Sequence, residues 1–255
     1  MSETVLQACN IRKEFGGIVA LDALSFDIGR GSITAIIGPN GAGKTTLINV
    51  MSGLFPPERG TIVLNGNAIT GRKSHDISRL GIARTFQTAQ IFNNMTVLEN
   101  VMVGRHTKTT AGMFRAALTL PGARREEKQI REKALHFLGM VGLRDAAGLP
   151  AASIPIGNQR LLEIARALAV EPDVLLLDEP AAGLNTQETR TLGELIRTIK
   201  SLGMTVIIIE HDMELVMDIS DMIMVLNFGQ KIAWGRPADI QSNPEVIAVY
   251  LGEEE

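Results

Sequence analysis

The stretch "ITAIIGPNGAGKTTLINVMSG" (33–53) decides the fold. Its first five residues, apolar but for Thr34 and bounded by turn residues, read as a short buried strand. From Thr45 the pattern becomes helical. Between them "GPNGAGKTT" (38–46) fits G-x-x-x-x-G-K-[ST], with Gly38, Gly43, Lys44 and Thr45 at the fixed positions. A strand before the pattern and a helix after it are the context a phosphate-cradling loop requires. Glycines let backbone N–H groups turn inward around a β-phosphate, and the helix points its positive end at the same place. Lys44 can then bridge the β- and γ-phosphates, and the Thr45 hydroxyl can coordinate Mg²⁺.

Two further strand ends point the same way. "VLLLDEP" (174–180) is an apolar strand that ends in two carboxylates. Ligands of parallel sheets bind at that carboxyl edge. Asp178 is the candidate Mg²⁺ ligand, and Glu179 is placed to polarise an attacking water. The same pair could instead cap the next helix. One strand further on, "TVIIIE" (205–210) runs into His211, which either contacts a γ-phosphate or is structural. Gln87, in "ARTFQTAQIF" (83–92), reads on its own residues as a polar loop residue.

Around these motifs the chain has 255 residues, 45% apolar and 21% charged, with 4% aromatics. That composition fits a globular protein whose core rests on Leu, Ile, Val, Ala and Met. The net charge of −3 argues against a nucleic-acid binder that depends on phosphate contacts. Cys9 is the one cysteine, so no intrachain disulfide can form, which suits a reducing compartment. No signal peptide is visible. Apolar runs such as "MTVIII" fall far short of the roughly 18 residues a membrane span needs, so a membrane role would be peripheral.

The N-terminal stretch reads as antiparallel strands punctuated by Gly16-Gly17 and Gly29-Arg30-Gly31, and "TIVLNGNAI" (61–69) as a hairpin turning at Asn65-Gly66. From about 95 to 150 the period is helical. Within it, "RHTKTTAGMFRAALTLPG" (105–122) is less regular and reads as an insertion. Beyond it, helices at 158–169, 187–201 and 212–219 alternate with the strands "DVLLLD", "TVIIIE", "MIMVLN" and "QKIAWG". Short apolar strands between amphipathic helices predict a mostly parallel sheet covered on both faces.

Taken together, the motifs resemble the ATP-binding subunit of an ABC transporter, over the whole chain and in order. Gly38–Thr45 resembles the Walker A loop, Gln87 the Q-loop, 154–158 the signature loop, Val174–Glu179 Walker B, 182–185 ("AGLN") the D-loop and His211 the switch histidine. The resemblance implies an α/β P-loop NTPase fold with a mixed central sheet. It implies one ABC ATPase domain over 1–255: a RecA-like core, an N-terminal antiparallel β subdomain, and a helical subdomain at about 88–165 with the insertion at about 105–125. It implies ATP as the nucleotide, held by Asn40, Gly41, Gly43, Lys44, Thr45 and Thr46, with Phe15 stacking on adenine. Phe15 on its own residues could instead be core packing in a strand. It implies Mg²⁺ held by Thr45, Gln87 and Asp178, and catalysis by Glu179, His211, Lys44 and Gln87.

Segments such as "GIARTFQ", "RLLEIARAL", "IIIEHDMELVM" and "VIAVYLGEE" are similar to the ATPase subunits of branched-chain amino acid importers. Urea or amide importers and a lipopolysaccharide exporter share several of them; the insertion argues against the last, and the chemistry leaves other exporters open. The resemblance implies an ATPase dimer, homodimer or heterodimer, under two transmembrane permease subunits. The chain would sit on the cytoplasmic face of the membrane, with a periplasmic or extracellular substrate-binding protein as an indirect partner and no nucleic acid. ABC ATPases that act on DNA or ribosomes carry two cassettes or a long coiled coil, absent here. A non-hydrolysing ATP sensor would lack Glu179 or His211.

The signature loop departs from the family. Leu-Ser-Gly-Gly-Gln falls on Ile154-Pro155-Ile156-Gly157-Asn158, and only Gly157 is unchanged. The serine hydroxyl is lost at Pro155, which also lacks an N–H. The Gly157 and Asn158 N–H groups remain, at a helix start that Pro155 and a glycine turn would aim. Either the loop binds a partner's nucleotide more weakly, or helix geometry compensates. The basic residues Arg105, Lys108, Arg115, Arg124 and Arg125 would form a face toward lipid or permease, or a solvated face balanced by Glu126, Glu127 and Glu132.

Overall fold

The computed structural model describes residues 3–86, 90–106 and 121–251. The chain divides into two units, 1–84 with 173–255, and 85–172. The first carries β1 (Thr4–Phe15), β2 (Ile18–Gly29), β3 (Ile33–Ile37), α1 (Lys44–Met51), β4 (Arg59–Leu64), β5 (Asn67–Ala68), α2 (Ser74–Leu80) and β6 (Ile82–Arg84). The second carries α3 (Val97–His106), α4 (Pro121–Met140) and α5 (Ile156–Leu168). The chain then returns to the first unit with β7 (Val174–Asp178), α6 (Thr186–Ser201), β8 (Thr205–Ile209), α7 (Met213–Ile219), β9 (Met222–Asn227), β10 (Gln230–Gly235), α8 (Pro237–Gln241) and α9 (Pro244–Leu251).

In the first unit one sheet has the order β10-β9-β3-β8-β7-β6. All its pairs are parallel except β10 with β9. Every residue of β3, β7 and β8 is buried, the continuous apolar run expected of strands covered on both faces. The predicted mixed sheet is therefore present. A second, antiparallel sheet has the order β2-β1-β4-β5. The predicted hairpin closes it: Asn65 (φ 49°) and Gly66 (φ 75°) are both left-handed, as a two-residue turn of this hand requires. Leu6, Ile11, Leu21, Ile28, Ile62 and Leu64 from this sheet share one core with α1 and the central strands.

The Asn185 side chain, at the end of "AGLN", accepts from the Glu188 N–H at 3.0 Å, and Glu188 accepts from the Asn185 N–H at 2.9 Å. This reciprocal cap satisfies two donors that open α6.

The second unit is helical among its described residues. Val97, Val101, Ala134, Leu138, Leu162 and Ala165 form its buried faces. The turn before α3 is closed by buried Asn100, whose Oδ1 accepts from the Phe92 N–H at 2.8 Å and whose Nδ2 donates to Phe92 O and Thr96 O. Arg105 does not join a basic outer face. Its guanidinium lies 2.7 Å from Glu171 and donates to Ala169 O at 3.2 Å, because a half-buried cation is held only where acceptors meet it. Lys108 and Arg115, with most of the 105–125 insertion, lie outside the described residues.

Ile207 sits in the middle of β8, fully buried. Ile207→Ala is expected to lower the free energy of unfolding by about 3 kcal/mol. Urea titration followed by circular dichroism would measure it.

Candidate functional site

The loop 38–43 runs from the end of β3 to the start of α1, and Gly43 caps the helix at φ 101°. Two of its glycines are fixed by crowding as well as by φ. A Cβ on Gly38 would overlap the carbonyl oxygen of Leu226, and one on Gly43 the carbonyl oxygen of Ala20. At these two positions the loop is wedged against backbone of β9 and β2, with no room for a side chain. Lys44 is buried and folds back over it, its Nζ donating to Gly38 O at 2.6 Å and to Pro39 O at 2.8 Å. Asn40, Gly41 and Thr45 are exposed, and Thr46 is half-buried. The outward N–H groups and hydroxyls on the first turn of α1 suit an anion.

Strands β7 and β8 end in register, Asp178 opposite Ile209. The next residue of β7, Glu179, turns away at φ 49°, a left-handed conformation uncommon for a side chain with a Cβ. Its N–H donates to Ile209 O at 2.9 Å. The turn brings Glu179 Oε1 to 2.9 Å from His211 Nε2, within hydrogen-bonding distance. Sequence spacing put these two side chains on one sheet edge; the structure brings them into contact.

Asp178 points elsewhere and is almost wholly buried. Burial pushes its carboxyl above the usual range; the nearby Arg84 guanidinium opposes this, and the Glu179 charge adds to it. Arg84, at the end of β6, had no signal in the sequence beyond ending an apolar strand. Its Nη1 donates to Asn49 Oδ1 at 2.7 Å and Ser52 Oγ at 2.9 Å, and its Nη2 lies 3.7 Å from Asp178 Oδ2. Glu210 also had no spacing signal, yet it lies buried beside His211.

The described residues contain no group of three or more His, Cys, Asp or Glu side chains that could hold a metal by themselves. A buried aspartate and a threonine hydroxyl on the first helical turn fit an ion that takes its other ligands from phosphate and water, as Mg²⁺ does.

Phe15 is half-exposed at the end of β1 rather than in the core. Its ring meets that of Phe55 edge to face, with centroids 5.3 Å apart. Lys13 Nζ stands 5.1 Å from its centroid and pairs with Glu58 at 2.6 Å. Gln87 lies outside the described residues. On either side of it, the N–H groups of Phe86 and Gln90 donate to buried Glu163 at 3.2 and 3.5 Å. Burial pushes Glu163 upward, against those two donors and Arg166.

The loop 154–158 lies in the second unit. The expected start of its helix at 158 is corrected: α5 begins at Ile156, with Pro155 as the capping residue at φ −54°. Gly157 is the second helical residue and does not form a turn, because Pro155 alone sets the entry direction. Ile154 is buried and accepts from Gln159 Nε2 at 3.1 Å. Ile156 is 73% exposed, an unusual position for a large apolar side chain.

The chain as a whole matches known proteins. Residues 21–182 match the family model for ABC transporter, and residues 230–255 the model for branched-chain amino acid ATP-binding cassette transporter. The chain is 42% identical over 254 residues to the high-affinity branched-chain amino acid transport ATP-binding protein LivG of Escherichia coli (strain K12), covering 99% of this chain and 100% of the relative. It is 34% identical over 253 residues to the probable LivG of Methanocaldococcus jannaschii, covering 98% of each. Among solved structures, an ATP-binding cassette of an ABC transporter in its ADP conformation superimposes with a TM-score of 0.85 at 34% identity, over 98% of this chain and 100% of that one.

Arg84→Ala would strand the Asp178 charge in a buried site. A loss of about 3 kcal/mol of stability is expected, with part of it returned by the second substitution Asp178→Asn. Chemical denaturation of the three variants checks this; an Arg84→Ala protein as stable as wild type would sink it.

Proposed function

This chain belongs to the ABC transporter ATP-binding family, and from that premise we propose that it powers a branched-chain amino acid importer. It is an ATPase subunit by family. The solute reading is supported by the names of its full-length relatives and by the C-terminal match over residues 230–255. No helix among the described residues is long and apolar enough to cross a membrane, so the transport path would belong to permease subunits. The chain would bind them from the cytoplasmic face.

The observation that carries the hydrolytic reading is the 2.9 Å contact between Glu179 and His211 at the carboxyl edge of the sheet. In this reading the loop 38–46 wraps the ATP phosphates with backbone N–H groups. Lys44 leaves the Gly38 and Pro39 carbonyls for the β- and γ-phosphates. Phe15 meets the adenine, its ring already presented at a strand end. Glu179 orients a water in line with the γ-phosphorus and draws on its proton as the new P–O bond forms and the bond to the β–γ bridging oxygen breaks. His211 contacts Glu179 in the free chain and, with ATP bound, donates its Nε2–H to the γ-phosphate. Mg²⁺, held by Thr45 and Asp178, would offset charge on the phosphate oxygens. Gln87 would report the γ-phosphate to the helical unit.

Two ATPases would close head to tail, each offering the start of α5 to the other's nucleotide. Here the altered loop matters. Pro155 offers neither hydroxyl nor N–H, so the backbone donors of the first helical turn and the Asn158 amide are left. A lost hydrogen bond to a charged group is worth roughly 1.5–3 kcal/mol. We read the partner as a second ATPase with an intact loop.

In the reconstituted transporter, Glu179→Gln is expected to cut ATP turnover by about 100-fold or more while ATP affinity holds. Malachite-green phosphate release, with fluorescent-nucleotide binding alongside, reads both. Radiolabelled leucine uptake into proteoliposomes tests the solute; ATP turnover insensitive to leucine-loaded binding protein would redirect the reading to another substrate. Gel filtration of the Glu179→Gln chain alone in ATP and Mg²⁺ is expected to give a monomer, and a stable homodimer would overturn the paired-ATPase reading.

A further inference from the structure

Glu210 is an acidic side chain at this sheet edge that has no part in the mechanism above. It follows β8, precedes His211, and is only 4% exposed. Its carboxylate is held by backbone. The Ala181 N–H donates to Oε1 at 2.6 Å, and the His211 N–H donates to Oε2 at 3.1 Å. Burial pushes this carboxyl up, while the N–H groups of Ala181, His211 and Asp212 pull it down. Ala181 is two residues beyond Glu179. One buried carboxylate therefore ties the loop leaving Glu179 to the loop carrying His211.

We propose that Glu210 is a positioning residue that sets the separation of Glu179 and His211 by bracing the two loops against each other. This rests on the reading of those two residues as the hydrolytic pair. The brace is needed because Glu179 sits at φ 49°, a conformation that persists only when its surroundings over-determine it. The Glu179 N–H bond to Ile209 O fixes one side of the turn, and the Ala181 bond to Glu210 fixes the other. His211 is half-exposed, and the backbone bond to Glu210 orients the residue. The cost of leaving a carboxylate buried is accepted because each oxygen has a donor.

The test is a double-mutant cycle on ATP turnover in the reconstituted transporter. Glu210→Gln keeps the shape but sets an amide NH₂ against one of the two N–H groups. It is expected to lower kcat by about 10–100-fold with KM for ATP within about 3-fold. In a His211→Ala background the same substitution is expected to cost less than about 2-fold, because the geometry it maintains is already gone. Glu210→Asp, which retains the charge and draws it back by one methylene, is expected to fall between wild type and Gln. Losses that multiply across the cycle would overturn the proposal, since an ordinary structural role acts whether or not His211 is present. So would a Gln variant with wild-type kcat. If the Gln variant loses nucleotide binding, the cycle is run with Asp and the same non-additivity decides. Wild-type protein that hydrolyses ATP with additive losses sinks this proposal alone; wild-type protein without hydrolysis sinks the reading it rests on as well.

Discussion

The registered ends of β7 and β8 are the constraint from which the rest of the candidate site follows. Asp178 faces Ile209, so the two strands stop at one level and the residues after them share one edge. Both strands are buried on both faces, so a hydrophobic face cannot set their register as it does in a half-exposed sheet. The polar ends set it. A slip by one residue would carry buried Asp178 away from Arg84, or buried Glu210 away from the Ala181 N–H, and pull an isoleucine out to the ligand edge. Burying an unpaired carboxylate costs far more than any single ladder hydrogen bond returns. The carboxylates that chemistry wants at the edge also lock the strands that present them.

That coupling explains what could be read from residues alone. The loop 38–46 was legible because its glycines, lysine and threonine act through local backbone geometry, which sequence spacing records directly. The strands ending in Asp178 and His211 were legible because a fully buried strand is a short apolar run with polar ends. The hairpin at Asn65-Gly66 was legible because few residues tolerate two left-handed positions in a row. Helix limits were less secure: Gly157 looked like a turn, whereas Pro155, with its fixed φ, starts the helix two residues earlier.

Contacts between residues far apart in the chain left no trace in spacing. Arg84 reaches Asn49 and Ser52 across more than thirty residues, and Glu210 reaches Ala181 across twenty-nine. Each looks ordinary in its own segment: an arginine after a strand, a glutamate before a histidine. Only the sheet order, with β6 beside β7 and β7 beside β8, puts them where they act. Arg105 shows the converse. It sits among other basic residues in sequence and suggests a charged face, yet Glu171 and the Ala169 carbonyl turn it inward. A charge run in a helix says which residues are charged, not which side meets water.

The two halves of the proposed reaction are therefore specified by different kinds of atoms. On the hydrolytic edge, side chains do the selecting: Lys44, Asp178, Glu179 and His211 each have a defined partner, and substitution of any one removes a group that backbone cannot replace. At the start of α5, side chains have withdrawn. Pro155 contributes no donor, Ile156 is apolar and exposed, and apart from the Asn158 amide an anion would meet the helix's own N–H groups and dipole. Backbone donors are weaker in number but fixed in direction, so such a loop can dock a phosphate without discriminating finely between one with a γ-phosphate and one without. A pairing with a second, side-chain-complete loop would then place the nucleotide sensing on one of the two sites. The asymmetry would lie in what this chain offers its partner, not in what it does with its own ATP.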